Sequence, residues 1–229
     1  MTTSVDLKEI NYYVGGGVLG KINRETLIEV VKMFPDEEEA KQWAARGKTF
    51  GHDVRVDGRF AHVPYVPGVT LSEALYALPT ILDDIPYPGE EYETDFYGPI
   101  QWKPRRVTRW HGDLSFENII ISDFITYIDW RATPNTGDVH YEYAKLVKST
   151  MFDHRRAHEC TDEVLCPHDD ADKLREMILN HAESRGLVKY DVMLATKCVL
   201  ERMSKYHMHT ILGSGFTLGH CLLKQAERL

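Results

Sequence analysis

Residues 111–130, HGDLSFENIIISDFITYIDW, decide how this chain reads. Asp113 is followed five positions later by Asn118, then by the apolar run Ile119–Ile121, by Ser122-Asp123, by a second run Ile125–Ile128, and by Asp129. Two short β-branched runs around a Ser-Asp pair predict a hairpin. Such a hairpin returns Asp129 to the end where Asn118 stands. The residue types then define a chemistry. A carboxylate can orient a hydroxyl and accept its proton, while a second carboxylate and an amide oxygen are hard ligands of the kind Mg²⁺ takes. Transfer of a γ-phosphoryl group needs both, because the charge on the phosphates is the obstacle. Asp113 suits the first role, and Asn118 and Asp129 suit the second.

Downstream of this segment the apolar residues recur at helical spacing. YEYAKLVKSTMF (141–152), ADKLREMILNHAESRG (171–186, with Gly186 as a stop), YDVMLATKCVLERMSKYHMHTIL (190–212) and a last short stretch ending at Leu229 all predict helices. Upstream, residues 83–106 are rich in Pro, Gly, acid and Tyr and predict a long surface connection. Before them, Thr70 is expected to open a helix over LSEALYAL (71–78), and the Pro and Gly residues of PYVPGV (64–69) predict a hinge. Further back, Val54–Val56 and Phe60–Val63 predict a hairpin turning at Asp57-Gly58, and Asp36 predicts the cap of a helix that begins with Glu37, Glu38 and Glu39. Ile10–Val14, a loop containing Gly15, Gly16, Gly17 and Gly20, and Leu27–Phe34 predict strand, glycine loop, strand. The expected class is α+β, with a small strand-rich lobe over residues 1–66 and a larger, mostly helical lobe over 67–229.

Composition narrows the function classes. With 229 residues and 43% apolar content a sizeable core is available. The formal charge of −8 argues against a protein whose affinity comes from neutralising many nucleic-acid phosphates. Apolar runs fall far short of the roughly 20 residues that cross a bilayer. The start MTTSVDLKEI carries no apolar stretch behind basic residues, and Cys160, Cys166, Cys198 and Cys221 form no CxxC pair. The expectation is a soluble, unprocessed chain with reduced thiols, in a cytoplasm, with neither nucleic acid nor membrane as partner.

The layout of Asp113, Asn118 and Asp129 is that of a kinase catalytic loop and magnesium site. HGDLSFENIIIS with YIDWR resembles the aminoglycoside phosphotransferase and choline kinase superfamily, and GDVHYEYAKLVKS (137–149) resembles the bacterial choline and capsular-sugar kinase branch. The resemblance is strong over residues 107–150 and covers the amino-terminal lobe only in layout. It implies a two-lobed protein-kinase-like fold, ATP and Mg²⁺ as cofactors, and a small-molecule hydroxyl as acceptor, a small alcohol or sugar. Asp113 is then the catalytic carboxylate, and Asn118 and Asp129 hold the metal. Lys32 pairs with phosphates, supported by Glu39 or by Glu38. Gly15, Gly16 and Gly17 form a flap over the phosphates, and the nucleotide lies near Val66. Two departures stand out. Glu142-Tyr143 replaces an Asp-Leu pair, so the acid that helps hold the catalytic loop is expected at Asp138, and the short stretch before His111 leaves little room for a large acceptor insert. Alternatives are a nucleotide-binding regulatory module without turnover and an aminoglycoside- or protein-directed phosphotransferase.

Other features compete. GGGVLGK (15–21) matches a P-loop that lacks its final hydroxyl residue. His154, His158, Cys160, Cys166 and His168 could ligate zinc, although their spacing fits no common module. Lys103, Arg105, Arg106 and Arg109 form a basic patch that could meet an anionic acceptor. Tyr87, Tyr92, Phe96, Tyr97 and Trp102 could wall a cation.

Overall fold

The computed structural model describes residues 10–13, 18–21, 29–94, 97, 100–132, 137–153, 167–209 and 217–229. Small antiparallel sheets and six α-helices among these residues make the chain α+β, as the sequence predicts. It divides into two compact units, Met1–Pro67 with Trp130–Thr133, and Gly68–Asp129 with Pro134–Leu229.

The first unit is a five-stranded sheet with one helix. Its elements are β1 (Ile10–Tyr13), β2 (Val18–Lys21), β3 (Glu29–Met33), α1 (Glu37–Gly47), β4 (Arg55–Asp57) and β5 (Phe60–Pro64), with strand order β1-β2-β3-β5-β4. The strand, loop, strand reading omits β2, which pairs with β1 on one side and β3 on the other. Its four residues include a glycine, too weak a β signal to register alone. Gly20 and Lys21 therefore lie in a strand, whereas a P-loop runs into a helix. In the β4–β5 hairpin Asp57 pairs with Phe60, so the two-residue loop is Gly58-Arg59, one position later than expected, with Gly58 at φ +55°.

Helix α1 forms as its sequence dictates. The Asp36 side chain accepts from the Glu39 amide at 2.8 Å, three glutamates occupy the first turn, and Ala40, Trp43 and Ala44 face inward. Trp43 stacks on Trp130 with centroids 4.4 Å apart and 16° between the planes. Each indole N–H donates to the other residue's carbonyl, at 2.7 and 2.8 Å. With Phe34, Val54 and Ala61 they form the core of this unit.

The second unit contains β6 (Val69–Thr70), α2 (Leu78–Asp84), β7 (Arg106–Val107), β8 (Ile119–Ile121), β9 (Ile125–Tyr127), β10 (Gly137–Asp138), α3 (Val139–Met151), α4 (Ala171–Ser184), α5 (Lys189–Tyr206) and α6 (Leu218–Glu227). The helix expected over residues 71–78 is displaced. Val69 and Thr70 are claimed by β8 as an edge strand, and the helix starts at Leu78, with Pro79 in the first turn where a missing N–H costs nothing. The hairpin β8–β9 stands where the sequence predicts it, with Ile119 opposite Tyr127. Helix α3 lies at the centre: all 13 of its residues are buried, α4 and α5 pack on it, and α6 packs on α5. No helix among the described residues is long and apolar enough to cross a membrane.

The strand pair β7–β10 sets the approach to His111. A Cβ on Gly137 would fall onto Cδ2 and Cε2 of the buried Trp110 indole, so only glycine lets the chain pass there. Gly137→Ala is expected to lower the unfolding free energy by about 1–3 kcal/mol through overpacking, measured by urea denaturation.

Candidate active site

The stretch 111–118 is a loop ending in a 3-10 turn over Phe116–Asn118. Gly112 adopts φ +78°, a left-handed value that glycine alone takes without penalty. Both oxygens of the buried Glu142 accept backbone amides from it, Oε2 from His111 at 3.2 Å and Oε1 from Gly112 at 2.8 Å. The Phe116 amide donates to Ser149 Oγ at 3.1 Å. His111 Nδ1 accepts from the Asp113 amide at 3.2 Å, which leaves Nε2 to carry the hydrogen donated to Ile128 O at 2.9 Å. The loop is thus tied to α3 on one side and to the end of β9 on the other.

The three residues of the proposed chemistry gather here. Asn118 Nδ2 donates to the carbonyl of Asp113 at 2.8 Å, fixing the amide so that Oδ1 is its remaining donor atom toward a ligand. The Ile128 amide donates to the Asn118 carbonyl at 2.9 Å, which seats Asp129 beside Asn118 at the open end of the hairpin. Asp129 has φ +57° and is the one non-glycine residue with positive φ among those described. A non-glycine residue held there costs about 1–3 kcal/mol, and such strain clusters at functional sites.

Helix α3 supplies the charges around Asp113. Glu142, Lys145 and Lys148 are spaced at three residues, and Ser149 lies four beyond Lys145, so they share one flank of the helix. Lys145 Nζ is ion-paired with Asp113 Oδ1, and its side chain is 7% exposed against 35% for Asp113. Burial pushes the Asp113 carboxyl up, but the Lys145 ammonium overrides it, with help from Lys148, and holds the carboxyl at about 2. Burial pushes the Lys148 ammonium down, against the opposing pull of Glu117. Burial, then Lys148 and Lys145, lower His207 at the end of α5.

This stripe is what sequence reasoning missed. The loop is held by Glu142 and not by Asp138, because Glu142 falls on the flank of α3 that faces His111. Asp138 is the α3 cap: it accepts from the His140 amide and ring, from the Arg105 amide, from Trp102 Nε1 at 2.9 Å and from Tyr97 Oη at 3.0 Å. The signal that could have found the stripe is the i, i+3, i+6 spacing of its three charges, Glu142, Lys145 and Lys148.

The remaining expected residues distribute as follows. Lys32 lies in β3, its ammonium over the rings of Trp43 (5.2 Å) and Phe34 (5.6 Å). Glu39 stands in the first turn of α1, where its amide donates to Asp36, and Glu38 accepts from Gln42 Nε2. Val66 follows β5 in the chain and is half-buried. Gly15, Gly16, Gly17 and Phe96 lie outside the described residues, as do His154, His158, Cys160 and Cys166. His168 is buried against Asp153 at 3.6 Å, and no group of three or more metal-ligating His, Cys, Asp or Glu side chains occurs among the described residues. The basic patch is matched locally: Lys103 with Glu91, Arg106 with Glu90, Arg109 with Asp84, and Arg105 Nε with the Gly89 carbonyl. The expected aromatic wall is also engaged. Tyr97 and Trp102 serve Asp138, Arg185 lies 3.8 Å over Tyr87, and Arg106 lies 4.6 Å over Tyr92.

Compared with known proteins, the chain matches no family model, no curated protein and no solved structure.

The loop geometry predicts the effect of removing its acceptor. Glu142→Ala orphans two buried amides, each costing about 1–3 kcal/mol. Urea denaturation is expected to show a loss in that range or above it, with part recovered in Glu142→Gln, which keeps one carbonyl oxygen.

Proposed function

We propose that the chain is a phosphotransferase of protein-kinase-like fold that moves the γ-phosphoryl group of ATP to a hydroxyl of a small, neutral molecule, a sugar or an alcohol. The observation that carries this reading is the convergence of Asp113, Asn118 and Asp129 at one end of the β8–β9 hairpin, joined by the Asn118–Asp113 and Ile128–Asn118 hydrogen bonds.

Asp113 orients the acceptor hydroxyl and receives its proton as the oxygen becomes bonded to phosphorus. Held at about 2, its carboxylate is a weak base. Its contribution is therefore chiefly orientation, with the proton arriving late in a loose transition state. Asn118 and Asp129 fit Mg²⁺: one amide oxygen and one carboxylate are the sparse, hard set that leaves room for phosphates and water, and Asp129 is held at a strained backbone angle beside Asn118. Mg²⁺ would supply neutralisation of the phosphate charge. Lys32 serves the nucleotide phosphates within the same reading.

The surroundings favour a neutral acceptor over a quaternary ammonium. Tyr87 and Tyr92, which could have formed a cation cage, already carry the chain's own arginines, and Asp138 is spent on capping.

Phosphorus NMR of Mg-ATP against choline, ethanolamine, single sugars and aminoglycosides is expected to show ADP and a sugar phosphomonoester, with choline unreacted. Asp113→Asn should lower kcat about 10²- to 10⁴-fold with nucleotide affinity retained. Asp129→Ala should remove the Mg²⁺-dependent thermal stabilisation by ATP. Wild-type turnover in Asp113→Asn, or equal stabilisation in Asp129→Ala, refutes the assignment.

A further inference from the structure

The catalytic loop carries no basic residue between Asp113 and Asn118, whose intervening sequence is LSFE. The nearest cation comes from a different element, the buried helix α3. Lys145 Nζ is paired with Oδ1 of Asp113 and has Met203 Sδ of α5 at 3.8 Å. The Asp113 side chain remains 35% exposed. One carboxylate oxygen is therefore clamped in a side chain that keeps partial access to the surface. Behind Lys145 stand Lys148 and Glu117, and at the end of α5 stands His207.

We infer that Lys145 is a positioning residue for phosphoryl transfer, its ammonium fixing Asp113 by Oδ1 so that Oδ2 is presented to the acceptor hydroxyl. The inference rests on the phosphotransferase reading above and deepens it. In the step concerned, the acceptor oxygen forms its bond to the γ-phosphorus, the bond from that phosphorus to the β-phosphate oxygen breaks, and ADP leaves with the electron pair. The acceptor's proton passes to Oδ2. Lys145 gains and loses nothing. It acts through geometry and through charge, since a carboxylate beside a triphosphate is repelled unless a cation is paired with it.

A carboxylate that loses such a clamp can rotate by an ångström or more, and misplacement on that scale costs about 10²-fold in rate. The binding of nucleotide, which Asp113 does not hold, should be unaffected. This split separates positioning from a merely structural role, in which stability and KM would change while kcat of the folded fraction would not.

The experiment measures ADP release from Mg-ATP by the full chain with water as acceptor, together with the melting temperature and the KM for Mg-ATP. Lys145→Met is expected to keep KM within about threefold and to lower kcat about 10²-fold. Lys145→Arg keeps the charge on a longer, planar head. It should retain the wild-type melting temperature and KM with kcat near a tenth of wild type. Wild-type kcat in folded Lys145→Met overturns the inference; should Lys145→Met not fold, wild-type kcat in Lys145→Gln, which also removes the charge, overturns it instead. A wild-type chain that neither binds nor cleaves Mg-ATP overturns the phosphotransferase reading itself and this inference with it, an outcome distinct from active wild type with active variants.

Discussion

The second unit depends on a buried helix that carries charge. Helix α3 has no exposed face, yet it contains Glu142, Lys145 and Lys148. Burying such groups without partners would cost several kcal/mol each, so the fold stands only if each finds a complement. The complements lie in one loop, in order: Glu142 takes the amides of His111 and Gly112, Lys145 pairs with Asp113, Ser149 takes the amide of Phe116, and Lys148 feels Glu117. Moving the loop would orphan the helix, and moving the helix would orphan the loop. The stability of the core and the placement of Asp113 are therefore the same set of interactions.

The opposite edge of the site is held by different physics. Asp129 sits at a positive φ, a cost that must be met by its neighbours. On one side is the β8–β9 ladder, extended by the Ile128 amide donating to Asn118. On the other is Trp130, whose indole and carbonyl are both engaged by Trp43 in the core of the first unit.

Electrostatics around the site are local. The formal charge of −8 is a property of the whole surface, while the arginines before His111 are each matched by an acid or a carbonyl nearby. Arg185 and Arg106 cover tyrosine faces instead of projecting freely.

What the sequence determined by itself was local. The hairpin of residues 119–128 follows from two β-branched runs around a polar pair, and the start of α1 follows from an aspartate ahead of three glutamates, because strands and caps are decided within a few residues. The spacing of Asp113, Asn118 and Asp129 was legible for the same reason. Strand β2 was not, since VLGK is a strand only because β1 and β3 flank it. Nor was the start of α2 at Leu78, or the pairing of Val69 and Thr70 with β8. The choice of Glu142 over Asp138, and the pairing of Lys145 with Asp113, were decided by the tertiary structure. These partners stand about 30 positions apart, and which flank of a helix meets a loop depends on how the helix packs against everything else.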